Sequence, residues 1–354
     1  MKSSPLIAAL AFTFGAVLAG APAADPPKVT VSNLRRVFHN GEHNAFTDLI
    51  RFKEHLYLTF RSCPAGHDVN STASAIILRS KDEGGTWEQV HRFSVAQRDT
   101  RDPHFLVFKE RLFVYTGTWW SGEGTLPREK RDMNEHLGYA VVSEDGATWS
   151  GPIMLEGTYG HYIWRAAAHD GRAYLCGRRK TNFNTGAQGE GSGIQSVMLE
   201  SEDGLIWRKR AFFSESGGNE TAFLFEKDGG VLAIDRHRSP ATLNRSKPPY
   251  AEWSRQPLDR FIGGPLLVKW GEHYLVGGRH STKDRGPKTT LYWLVDDKLQ
   301  EFAEFPSAGD NSYPGFVALS PTRALVSYYS THEKDEAGKP ITAIYLAELT
   351  LEDS

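Results

Sequence analysis

The sequence predicts an all-β protein, a six-bladed β-propeller built from four-stranded antiparallel blades. Two observations carry that prediction. A hairpin of roughly 18 residues recurs six times, and two further strands fit into each interval between copies.

The copies align without internal gaps. They are NAFTDLIRFKEHLYLTFR from Asn44, TRDPHFLVFKERLFVYTG from Thr100, HYIWRAAAHDGRAYLCGR from His161, NETAFLFEKDGGVLAIDR from Asn219, IGGPLLVKWGEHYLVGGR from Ile262 and SYPGFVALSPTRALVSYY from Ser312. In each, an apolar-alternating strand runs into a short polar turn such as Lys53-Glu54, Asp170-Gly171 or Asp228-Gly229 and returns as a second strand. The starts lie about 43–61 residues apart, the length of a four-stranded blade. SAIILRS with WEQVHRF, GYAVVS with WSGPIML and SVMLES with WRKRAFF supply third and fourth strands. After the sixth hairpin ITAIYLAEL has no partner, and before the first VTVSNLRRVF has none. Pairing the two closes the ring with the N-terminal strand and leaves neither strand without a partner.

Residues 1–24 read as an export signal: Lys2, an apolar run from Leu6 to Leu18, then Ala21-Pro22-Ala23. The run is too short for a membrane span, so the expected product is secreted or periplasmic. Residues 25–354 carry no linker and are expected to form one domain. With 41 basic against 43 acidic residues, the net charge of −2 excludes a general nucleic-acid binder. The two cysteines, Cys63 and Cys176, fall on different blades and are expected to be buried thiols. No His/Cys/Asp spacing forms a compact metal-ligand set, and nothing calls for a cofactor.

Chemistry is expected where the first strand of each hairpin begins and the second ends, because those columns meet on one face of the ring. The final column reads Arg61, Gly117, Arg178, Arg236, Arg279 and Tyr329. Four arginines at one rim suit an anion held bidentately, or else pair with acids of neighbouring blades. The entry column reads Ala45, Arg101, Tyr162, Glu220, Gly263 and Tyr313, and nearby positions add Asp48, Asp102 and Arg165. A carboxylate or phenol among arginines suits a nucleophile, a helper base and a separate acid. Arg101-Asp102-Pro103 is equally readable as a turn with a local ion pair.

Three turns share a motif: Ser80-Lys81-Asp82 leading to Trp87, Ser143-Glu144-Asp145 leading to Trp149, and Ser201-Glu202-Asp203 leading to Trp207. They look like Asp-boxes, with a structural rather than catalytic role. Repeats and boxes together resemble the sialidase superfamily over nearly all of the mature chain. Asn219-Glu220-Thr221 leading to Ile234-Asp235-Arg236 is similar to the family's catalytic Glu hairpin, and Ser312-Tyr313-Pro314-Gly315 to the segment bearing its nucleophilic tyrosine. The resemblance implies Glu220 as base toward Tyr313, and an acid at His67 or Asp68; Asp48 and Asp102 compete for that role. The columns offer Arg61, Arg101, Arg165, Arg178, Arg236 and Arg279 as substrate-binding candidates, and the resemblance singles out Arg236 as one arginine of the family's carboxylate-binding triad. The family's Tyr-Arg-Ile-Pro segment is replaced by Phe46-Thr47-Asp48-Leu49, and its third carboxylate-binding arginine by Lys288, Arg279 or Arg285. These departures point away from strict sialic acid specificity. The expected function is hydrolysis of an acidic glycan. The alternatives are a lyase in which His67 or Tyr313 abstracts a proton beside a uronate carboxylate, and a propeller that binds glycan without turnover.

Overall fold

A computed structural model describes residues 26–185, 193–238 and 240–352. The expected export signal, residues 1–24, lies outside them. Among the described residues are 24 strands in six four-stranded antiparallel sheets, and three single-turn helices. No helix among them is long and apolar enough to cross a membrane.

Each blade begins at the central axis and works outward. Blade one is His43–Phe52, His55–Cys63, Ser74–Ser80 and Glu88–Phe93, in that spatial order. Blades two to five repeat the pattern from Arg98, Tyr162, Thr221 and Gly263. Blade six is composite. Its inner strands Asn311–Ala318 and Arg323–Lys334 are followed by Pro340–Leu351, and Val29–Phe38 forms its outer edge. Val29 lies opposite Leu351 and Phe38 opposite Ile344, so the two unpaired strands of the sequence do close the ring.

Alternation places one face of every strand between two blades, and the core is a set of wedges between neighbouring sheets. Phe52, Tyr57, Ile77, Phe105, Leu112 and Val141 fill the wedge between blades one and two. Trp270, Leu275, Trp293, Val326, Tyr328 and Tyr345 fill that between five and six. Cys63 and Cys176 are buried and unpaired.

The three Ser-x-Asp turns fasten these wedges. Asp145 accepts the Ala147 and Thr148 amides at 2.8 and 2.7 Å, and Gly146 N–H donates to Ser143 at 2.7 Å. Gly146 has φ +75°, and a Cβ there would lie 1.9 Å from the Tyr57 hydroxyl of the preceding blade. Only glycine lets the turn seat against that ring. The turn of blade three likewise takes the Tyr115 hydroxyl of blade two on the Gly204 carbonyl at 3.0 Å.

Candidate functional site

The entry and exit columns meet in register except in blade six, where Ser312 rather than Tyr313 lies opposite Tyr329. Ala45 lies opposite Arg61, Arg101 opposite Gly117, Tyr162 opposite Arg178, and Gly263 opposite Arg279. The Arg236 amide donates to the Glu220 carbonyl just beyond the blade-four ladder. Five of the six inner strands break register there. The shifts fall at Phe46, Asp102, Arg165, Gly264 and Tyr313, each with φ between +35° and +63°. Such bulges re-aim a side chain out of the pleat, and four of these residues are not glycine, so strained backbone is concentrated on one face.

On that face lies a pocket of about 280 Å³, lined by charged and aromatic side chains from all six blades. Glu220 and Tyr313 face each other across it. The Tyr313 hydroxyl donates to Glu220 Oε1 at 2.9 Å, and Arg236 donates to Glu220 Oε2 at 2.7 Å. Burial pushes the Glu220 carboxyl up, yet the charges of Arg236 and Arg178 outweigh it and hold the group below its ordinary range. Burial and the Glu220 charge push the Tyr313 hydroxyl well above the ordinary phenol range.

Asp102 sits beside this pair. Its Oδ2 accepts the Tyr162 hydroxyl at 2.5 Å, while Oδ1 is buried with no hydrogen-bond partner. Burial first, then the Glu220 charge, raises its pKa to about 7. Two neighbouring carboxyls are thus pushed apart, Glu220 toward ionised and Asp102 toward protonated, which is how acid and base roles separate at one site.

The arginines divide into two groups. Arg101, Arg178, Arg236 and Arg279 line the pocket; Arg61 and Arg165 do not. Arg61 is fully buried, donates to both oxygens of Asp99 at 2.9 and 3.1 Å, and takes the carbonyls of Gly66 and Asp68. Arg165 is held by Asp48 Oδ1 at 3.1 Å and by the carbonyls of Pro265 and Pro314. Asp48 in turn accepts the Phe105 amide at 2.9 Å and is likewise absent from the pocket wall. Arg101 reaches Asp99 at 3.2 Å and the His67 carbonyl. Arg178 donates to the side-chain oxygen of Asn219 at 2.8 Å and lies over the Tyr162 ring; among the described residues it has no carboxylate within ion-pair distance. Its Nε is buried without a partner.

His67 and Asp68, adjacent in the loop after the first hairpin, separate. Asp68 points to Arg131 at 3.0 Å, outside the pocket, and that hydrogen bond lowers its pKa. His67 lines the pocket and bonds Asp310 Oδ2 through Nδ1 at 2.6 Å. His43 reaches the same oxygen through Nε2 at 2.9 Å, and the Tyr329 hydroxyl donates to Oδ1 at 2.8 Å. Burial pushes the Asp310 carboxyl up, but His43 and His67 hold it far below its ordinary range. Sequence reasoning missed Asp310, Asp99 and the lining aromatics Phe46 and Trp119. The available signal was position alone: Asp310 stands three residues ahead of Tyr313, at the mouth of the same strand.

No protein-family model matches the chain, and no curated protein matches it in sequence. Solved structures do match. A protein of unknown function from Dyadobacter fermentans superposes with a TM-score of 0.77 at 18% identity, covering 92% of this chain and 100% of that one. The Trypanosoma rangeli sialidase bound to the inhibitor DANA gives 0.62 at 12% identity, over 86% of this chain and 55% of that one. The fold is sialidase-like. The endosialidase of phage phi92 also gives 0.62, at 11% identity, over 91% of this chain and 69% of its own. The chain therefore spans little more than half of the trypanosomal enzyme.

Proposed function

We propose that the protein is an exported glycoside hydrolase of sialidase-like type, cleaving an acidic glycan at the central face. The observation that carries the reading is the Tyr313–Glu220–Arg236 contact: a phenol hydrogen-bonded at 2.9 Å to a carboxylate that an arginine keeps ionised. A buried tyrosine whose pKa is raised cannot attack as a standing phenolate, so it needs a base within reach as the bond forms. Glu220 is that base. Tyrosine in place of a second carboxylate is the known departure of sialidases from the usual glycosidase pattern.

In the first step the Tyr313 oxygen bonds to the anomeric carbon while its proton passes to Glu220. The glycosidic bond breaks, and its oxygen takes the proton of Asp102. In the second step the Asp102 carboxylate takes a proton from water. That water oxygen bonds to the anomeric carbon, and the Tyr313 oxygen departs, recovering its proton from Glu220. Two displacements at one carbon retain configuration. Asp102 suits the acid role because it is protonated up to about pH 7 and its Oδ1 has no acceptor in the protein.

The preference for an acidic sugar rests on charge. Arg178 has no ion-pair partner among the described residues, and Arg236 and Arg279 stand on the same wall. A guanidinium that no carboxylate grips directly keeps its paired donors for a substrate carboxylate or sulfate. Phe46, Trp119 and Tyr162 offer apolar faces for a sugar ring.

The test is release of sugar from sialylated, uronate-containing and neutral glycans, with Glu220→Gln and Tyr313→Phe alongside. Release from an acidic glycan that both substitutions abolish supports the hydrolase. Binding without release, equal in all three proteins, supports a glycan-binding propeller instead.

A further inference from the structure

We propose that His43, His67 and Asp310 form a binding site for one divalent transition-metal ion of the zinc class at the rim of the central pocket. The three residues come from the innermost strand of blade one, the loop after its hairpin, and the approach to the innermost strand of blade six. They are separated in sequence by up to 267 residues, so no local spacing betrays them.

The donor atoms already converge. His43 Nε2, His67 Nδ1 and Asp310 Oδ2 all lie within 4.8 Å of one another, with both rings directed at one carboxylate oxygen, at 2.9 and 2.6 Å. Around a tetrahedral ion with bonds of about 2.0–2.2 Å, donors stand roughly 3.3 Å apart. Opening each ring-to-carboxylate distance by less than about 1 Å would therefore admit the ion.

The two oxygens of Asp310 have separate tasks. Oδ2 faces the imidazoles, whereas Oδ1 accepts the Tyr329 hydroxyl at 2.8 Å and lies 3.6 Å from Arg279. A ligating carboxylate steadied through its second oxygen is the usual outer support of a metal site. His67 is fixed as firmly although its ring is half-exposed. Arg61 holds the carbonyls on either side of it, Gly66 and Asp68, and Arg101 holds its own. The loop thus presents the ring in one place without help from the ion. Two imidazole nitrogens with one carboxylate oxygen favour zinc, cobalt or nickel over magnesium or calcium. A fourth position remains toward the pocket, where an oxygen of a bound glycan or a water would complete the shell.

The site does not depend on the hydrolase reading, because none of its three donors takes part in the steps assigned to Tyr313, Glu220 and Asp102. Tag-free full-length mature protein, dialysed against chelator, is titrated with zinc chloride by calorimetry and with cobalt chloride by visible absorption. The expected result is one zinc per chain, a cobalt spectrum of four- or five-coordinate type, and no comparable binding of magnesium. His67→Ala and Asp310→Asn should each weaken zinc binding at least about tenfold. Metal-free His67→Ala, in an exposed loop, should keep the circular dichroism spectrum of the folded parent and so separates lost ligation from lost fold. Absence of saturable zinc binding overturns the proposal. So does binding that both substitutions leave unchanged, which would place the ion elsewhere.

Discussion

The Tyr313 hydroxyl, from blade six, donates to Glu220 of blade four at 2.9 Å, and the far oxygen of that carboxylate is held by Arg236 at 2.7 Å. The contact joins two blades that blade five separates, so it forms only when those blades pack around the central face. Glu220→Gln keeps the shape and removes the base; kcat should fall by about 10²–10⁴ in protein that still folds, as circular dichroism checks. Tyr313→Phe should fall at least as far. The double variant should be little worse than the poorer single one, because the two act as a unit. A Tyr313→Phe enzyme within tenfold of the parent would remove the nucleophile assignment.

Asp102 sets the alkaline limb. With its pKa at about 7, activity should decline as pH rises through that value, and decline again on the acid side where Glu220, held below its ordinary range, takes up a proton. Stability follows a definite sign. The folded-state pKa lies above the unfolded value of 3.8, so the contribution of the protonated group is complete below 3.8 and is lost as pH rises through about 7. Asp102→Asn should therefore lose activity by about 10² or more while melting roughly 3 °C or more higher than the parent at pH 8. Calorimetry at pH 5 and pH 8 distinguishes this from a general loss of packing, which would lower Tm at both.

Arg178 lies over Tyr162 with no carboxylate opposite it. Arg178→Ala should raise KM for an acidic glycan at least about tenfold and leave a neutral one nearly untouched. Arg178→Lys should recover only part of the affinity, since an ammonium lacks the paired donors of a guanidinium. Equal losses on acidic and neutral substrates would assign Arg178 to packing.

Asp99 carries the framework. It is fully buried, accepts Arg61 twice and the Asn70 amide, and lies 3.2 Å from Arg101. Asp99→Asn strands a buried guanidinium and should cost about 3–5 kcal/mol in urea-induced unfolding. Replacing both partners by apolar residues of similar volume should return much of that loss.

Gly264 makes room for the nucleophile. Its φ is +57°, and a Cβ there would meet the Tyr313 ring at 2.6–2.8 Å. Gly264→Ala should reduce kcat about tenfold or more with KM nearly constant, by displacing the ring rather than removing a contact with substrate. Unaltered kinetics would show that the ring adjusts freely.

How far the molecule was legible depended on range. The hairpin register was readable because alternation and turn placement fix it locally, and Tyr162 opposite Arg178 or Gly263 opposite Arg279 fell where the columns placed them. The column did not reveal which arginines face the pocket. Arg61 and Arg178 occupy equivalent positions, yet Arg61 meets Asp99 at the start of blade two and Arg178 meets only a neutral amide. Arg178 feels the Glu220 charge only at longer range, and that difference lies in what the neighbouring blade presents, not in the repeat. Asp48 and Arg165, both read as site candidates, spend their charge on each other outside the pocket wall. The bulges left no mark either. Phe46, Asp102, Arg165 and Tyr313 adopt positive φ without the glycine that would announce it. Asp310 and His43 come together from opposite ends of the described chain, where only closure of the ring could bring them.

That closure also imposes a schedule. Among the described residues Val29–Phe38 pairs with Pro340–Leu351 alone, a strand about 300 residues further along the chain, so it is made before its partner. Until Pro340–Leu351 arrives, Val29–Phe38 has no strand to dock on, and the pocket that draws on blades one and six does not exist. In a nascent or clipped chain the pocket is therefore incomplete.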